Sequence, residues 1–125
     1  MPVAKLPDVS ESTILYGFAA VDDRGRVAAQ PVAEHLGWPP GTRLAARVRA
    51  GLVLVTTDPA GPVRVTPRRH LRLPATVRHW CGLTPGARVL LVAEPDEGRL
   101  VIHPTASLDA MITRVYAEVL GGDAA

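Results

Sequence analysis

The sequence predicts a mainly β protein with short helices: one barrel closed by two tandem copies of a double-hairpin unit, plus a separate C-terminal helix. Three observations carry that expectation. The stretch "GWPPGTRL" at 37–44 returns as "GLTPGARV" at 82–89, aligned without a gap at an offset of 45 and sharing Gly, Pro, Gly and Arg. Around each copy, short apolar runs alternate with turns rich in Gly, Pro and Asp, a strand-and-turn pattern. Neither copy alone has enough apolar surface to bury its own face, so two interlocked copies are needed to complete a core and hide most strand edges.

The elements follow in order. "ILYGFAAV" (14–21) reads as a strand that turns at 22–25 into "RVAA" (26–29), a first hairpin. "PVAEHL" (31–36) reads as a short helix, because Pro31 costs little at a helix start and Gly37 suits the stop. Pro40 and Gly41 turn the chain into "RLAARVR" (43–49), which reverses at Ala50 and Gly51 into "LVLVTT" (52–57). The link "DPAGP" (58–62) leads to the second copy. There "VRV" (63–65) turns at 66–69 into "HLRL" (70–73), and "PATVRHWC" (74–81) forms a helix between Pro74 and Gly82. Pro85 and Gly86 turn into "RVLLVAE" (88–94), which reverses through 95–98 into "RLVIHP" (99–104). The first repeat thus spans 15–57 and the second 63–104, and the two form one barrel. The tail "SLDAMITRVYAEVLGG" reads as an amphipathic helix over 107–120, with Ser107 as N-cap, Asp109 in the first turn and Gly121-Gly122 at its end. Leu108, Met111, Ile112, Val115, Val119 and Leu120 share one face, which has three candidate destinations: its own barrel, a second copy in a homodimer, or a partner protein.

Composition limits the function classes. The 125 residues suit one compact domain, and 47% hydrophobic with only 4% aromatic residues points to a core of Val, Leu, Ile and Ala. A lone Cys81 fits a reducing compartment, no apolar run nears the ~18 residues of a membrane span, and "MPVAKLPDVSEST" holds no signal-peptide core. The expected location is the cytoplasm, without membrane attachment. Charge is segregated: residues 1–23 sum to −3, residues 24–88 to +9 and residues 89–125 to −4, for a net +2. A basic middle between acidic ends asks for an anionic partner.

The densest cationic stretch is "VTPRRHLRLPATV" (65–77). Side chains alternate between faces along an extended chain. Val63, Val65, Leu71 and Leu73 then point inward, Arg64, Thr66, His70 and Arg72 outward, and Arg68 and Arg69 sit at the turn tip. A two-stranded ribbon seated on a barrel by its apolar face leaves the other face for a DNA major groove, and arginine grips phosphate or guanine bidentately. The first copy is poorer: it offers Arg24 and Arg26, with Ala28 in place of Arg72 and with Asp22 and Asp23 nearby. Arg43 and Arg88, placed alike after the two turns, read equally as DNA contacts or as structural residues bonding carbonyls or acids, and Arg47 and Arg49 as a solvent face. Trp38 and Trp80 read as plugs at the barrel ends.

Other chemistry is sparse. His35, His70, His79, His103 and Cys81 lack CxxC or HxxxH spacing, so neither a metal nor another cofactor is expected. Walker, GxGxxG and GxSxG motifs are absent and the carboxylates are scattered, so the chain does not read as an enzyme.

The run "HLRLPATVRHWCGLTPGARVLLVAEPDEGRLVIHP" (70–104) resembles the AbrB/MazE/SpoVT family of swapped-hairpin DNA-binding domains, in its order of strand, Pro, short helix, Gly-Leu-x-Pro-Gly, strand and hairpin. "GRVAAQPVAEHLGWPPGTRLAARVRAGLVLV" (25–55) is similar but looser, with its proline displaced and one residue fewer before Gly37. The resemblance implies an intertwined barrel that binds double-stranded DNA, with contacts at Arg68, Arg69, His70, Arg72 and Arg78. It implies a sequence-specific transcriptional regulator, with an antitoxin that binds both operator DNA and a toxin protein as the alternative.

Overall fold

A computed structural model describes residues 13–121; residues 1–12, and 122–125 with Gly122, lie outside the described residues. In chain order the elements are β1 (Leu15–Ala20), β2 (Arg26–Ala28), α1 (Gln30–His35), β3 (Arg43–Arg49), β4 (Leu52–Thr57), β5 (Val63–Arg64), β6 (His70–Arg72), α2 (Ala75–Trp80), β7 (Arg88–Glu94), β8 (Arg99–Pro104) and α3 (Thr105–Val119).

The two long hairpins form where their turns dictate. Ala50 and Gly51, both at positive φ, reverse β3 into β4, as a two-residue turn between twisted strands requires. A single 3-10 turn, Pro95–Glu97, joins β7 to β8, with Gly98 in the left-handed region closing it.

Of the two short hairpins expected at 14–29 and 63–73, the first exists only as a turn and the second as a turn with one isolated bridge, Val65 to Leu71. β1 pairs with β7, β5 with β3, and β2 with β6, so each strand leaves its sequence neighbour for the other half of the chain. What remains of the local hairpins is a few bonds at each tip, such as Asp22 N–H to Arg26 O at 2.9 Å and Thr66 N–H to His70 O at 3.0 Å. The reason is burial: an isolated two-stranded hairpin is marginal in water, whereas pairing across the chain lets every strand share one core.

The result is a curled six-stranded antiparallel sheet in the order β1-β7-β8-β4-β3-β5, a half-barrel closed over by the β2–β6 ribbon. That order reads the same from either end once β1 is matched to β5, β7 to β3 and β8 to β4. Backbone bonds repeat the correspondence. Gly41 N–H donates to Val65 O at 2.8 Å and Gly86 N–H to Val21 O at 2.7 Å; Ala29 N–H donates to Arg69 O at 3.0 Å and Leu73 N–H to Gly25 O at 2.9 Å.

Leu44, Val53, Val55, Val89, Leu91, Leu100 and Ile102 fill the sheet's concave face, and Val27 and Leu71 close it from the ribbon. Each such side chain contributes about 1.5–3 kcal/mol on burial. Trp38 joins them at 5% exposure, whereas Trp80 is 77% exposed and plugs nothing, which corrects that expectation. Arg43 Nε donates to Gly61 O at 3.1 Å, which favours the structural of its two readings, and Arg47 and Arg49 face solvent together with the half-exposed Val48.

Helix boundaries shift slightly. α1 begins at Gln30 with Pro31 inside its first turn, and Pro74 is the N-cap of α2 rather than its first residue. The last helix starts at Thr105, directly after Pro104, so Ser107 lies inside it and is not the N-cap. The Thr105 hydroxyl donates to Arg88 O at 2.8 Å and ties this start to β7. No residue of α3 is fully buried: Leu108 is half-buried, while Met111, Ile112, Val115, Val119 and Leu120 of its apolar stripe are exposed. No helix among the described residues is long and apolar enough to cross a membrane.

Candidate nucleic-acid interface

The ribbon that carries the basic residues is made by both halves of the chain. Arg26 lies opposite Arg72, Val27 opposite Leu71, and Ala28 opposite His70. Val27 and Leu71 are fully buried, so the strand period forces Arg26, Ala28, His70 and Arg72 onto the outer face. The inward and outward assignments read from the sequence for Val63, Arg64, Val65, Leu71, Arg72 and Leu73 match the burial pattern.

A turn stands at each end of the ribbon. At one end Asp22 Oδ1 accepts from the N–H groups of Arg24 and Arg26, at 2.9 and 2.8 Å, while Oδ2 accepts from Arg26 Nε at 2.8 Å. These donors, the Arg26 N–H foremost, hold the Asp22 carboxyl at about 2, well below its ordinary 3.8. Arg26 is therefore engaged, and Arg24 is the exposed cation of this turn.

At the other end Thr66 takes the part of Asp22, its hydroxyl accepting from His70 N–H at 2.9 Å. Arg69 occupies the left-handed region (φ 59) where the first turn has Gly25 (φ 76). Its Nη1 donates to Glu34 Oε1 of α1 at 2.6 Å, and its Nε is buried without a partner. Arg69 is thus folded back onto α1, and Arg68 alone stays exposed at the tip.

Arg78 lies across the first turn. Its Nε donates to Leu73 O at 3.0 Å, and a Cβ on Gly25 would come within 2.5 Å of that same nitrogen. Any other residue at 25 would have to displace the Arg78 side chain, and glycine takes the left-handed φ there without strain. Arg78 in turn borders an open cleft of about 460 Å³ with Arg64, Arg72 and Thr66, and no carboxylate among the described residues lines it.

The ladders assign each of these residues a counterpart in the other half. Arg43 faces Arg64 as Arg88 faces Ala20, so Ala20 stands where Arg64 does. Likewise Ala28 matches Arg72, Asp22 matches Thr66, and Ala33 matches Arg78, since Trp38 and Leu83 N–H bond the carbonyls of Ala33 and Arg78 alike. Three arginines on one side correspond to three alanines on the other. The cationic cleft exists once.

Of the eight candidate residues, Arg64, Arg72 and Arg78 converge on the cleft, Arg24 and Arg68 mark the two tips, and His70 lies half-buried on the ribbon. Arg26 and Arg69 are tied to Asp22 and Glu34. Glu34 is the participant that sequence reasoning did not single out; Asp22 and Thr66 were placed at the turns without a bonding role. The Asp22-x-x-Gly25 spacing of a side-chain-capped turn was the available signal for one of them. Burial raises the Cys81 thiol above its ordinary range, which disfavours a reactive thiolate.

No protein-family model, curated protein or solved structure matches this chain.

Proposed function

We propose that the chain is a DNA-binding transcriptional regulator, built as a swapped-hairpin barrel from two tandem copies and similar in plan to the AbrB/MazE/SpoVT family. The palindromic strand order and the paired backbone bonds support the duplication. The observation that carries the function is the convergence of Arg64, Arg72 and Arg78 on an acid-free cleft beside a ribbon whose inner face is fully buried.

The ribbon is rigid because Val27 and Leu71 anchor it, so its outer groups are presented without much loss of freedom on binding. Gly25 and Ala29 are four residue steps apart, about 13 Å of extended chain, comparable with the ~12 Å width of a major groove. Arg24 and Arg68 at the tips then reach the flanking phosphates, His70 and Arg72 face base edges, and the cleft holds a backbone phosphate. In this reading Arg26 and Arg69 hold the turns in shape.

The test is a duplex selected from a random pool, titrated by fluorescence anisotropy at several salt concentrations. Arg64→Ala with Arg72→Ala is expected to weaken binding and to flatten the slope of log affinity against log salt by roughly 0.9 for each lost phosphate contact. Arg47→Ala with Arg49→Ala, on β3 and outside the cleft, is expected to change little. Equal losses from the two pairs, or binding indifferent to salt, would refute the assignment.

A further inference from the structure

We infer that α3 is a dimerisation helix whose apolar seam is covered by the same seam of a second copy of this chain. Thr105–Val119 holds no buried residue, and Met111, Ile112, Val115, Tyr116, Val119 and Leu120 are 38–64% exposed. A helix of this length is marginal in water unless an apolar face is packed. The barrel packs on it near its start, through Thr105, the edge of β7 and β8 and the half-buried Leu108, and an open groove separates Ala110, Met111 and Arg114 from Trp80 and Ala50–Leu52. Covering must come from another molecule.

The pattern of the face selects a copy of itself. Leu108, Ile112, Val115 and Val119 follow the 4-3-4 spacing of a heptad seam, with β-branched Ile112 and Val119 at one kind of position and Leu108 and Val115 at the other. Such a seam is self-complementary about a twofold axis. The charged residues Asp109, Arg114 and Glu118 lie off it, so two copies meet with no buried charge.

Area agrees. With the exposed Trp80, which shares an open groove with Met111 and Arg114, the apolar groups present on the order of 700 Å² per chain, near the ~800 Å² per partner of a stable interface. The single cationic cleft adds a second reason. The half-chains are alike in backbone but only one is basic, so a pair of chains is needed to present two equivalent basic faces. That last clause rests on the DNA reading; the seam does not.

Sedimentation of the full chain without DNA keeps the two readings apart. The expected mass is twice the 13.3 kDa of one chain, with dissociation on dilution. Ile112→Asp with Val115→Asp is expected to give a monomer whose barrel melts as before, while Ala117→Glu, on the opposite face, stays dimeric. A monomer at every concentration, a dimer that survives the double substitution, or a collapse of barrel melting in that variant would each overturn the proposal. So would a monomer that holds a different protein on α3.

Discussion

At the scale of single residues, the candidate site depends on which charges are already spent. The sequence shows seven arginines and His70 as candidates, in two stretches, but not that Asp22 closes on Arg26 and Glu34 on Arg69, the second pair being 35 residues apart. The first pair has a pH signature. Since the folded state depresses the Asp22 pKa, its stabilisation is fully present above the ordinary 3.8 and is lost as pH falls toward about 2. Urea unfolding of the wild type is therefore expected to lose stability across that window. Asp22→Asn, which keeps one capping oxygen but no charge, is expected to be less stable at neutral pH and flatter on acidification. Identical acid slopes would show that the carboxylate contributes nothing to the turn. The DNA affinity of Asp22→Asn also reports on this pairing, because freeing Arg26 adds a mobile cation to the ribbon.

At the scale of elements, what the sequence made legible was whatever is locally determined. Both long hairpins, both short helices and the alternation along β5 and β6 follow from nearby turn residues and from side-chain period. The partners of β1, β2, β5 and β6 were not legible, because a ladder between distant segments leaves no local mark. The tryptophans show how the repeat could have been used better. At the offset of 45, Trp38 corresponds to Leu83, and both are buried; Trp80 corresponds to His35, and both are exposed. Position in the unit decides burial, and residue type does not. Trp38→Ala is accordingly expected to cost about 3–5 kcal/mol in unfolding free energy. Trp80→Ala should cost far less, and its main effect should be loss of the red-shifted, quencher-accessible part of the emission. Comparable destabilisation by both would mean that the two helix ends are packed alike.

At the scale of the whole molecule, the fold is held by exchange between halves. Of six ladders among the described residues, β1–β7, β2–β6, β3–β5 and β4–β8 join one half to the other, and only β3–β4 and β7–β8 are internal to a half. The core follows the same division: Val27 of one half meets Leu71 of the other, and Val53 and Val55 lie beside Ile102 and Leu100. Residues 1–59 expressed alone would carry β1 and β2 without the strands that pair with them, and residues 60–125 would likewise lack partners for β5 and β6. Each fragment is therefore expected to be poorly folded or to associate with itself, the second more readily, since it could supply both halves of a symmetric barrel and also carries α3. Mixing the fragments is expected to restore one cooperative unfolding transition and native amide protection on β4 and β8, whose ladder forms only between halves. A monomeric fragment with its own sharp transition would refute the exchange, because it would mean that one half contains a complete core. The outcome also bears on the basic face. On the proposed DNA reading, since Arg26 and Arg72 stand opposite each other only when both halves are present, any DNA binding of the full chain should return with the transition and at the same ratio of fragments.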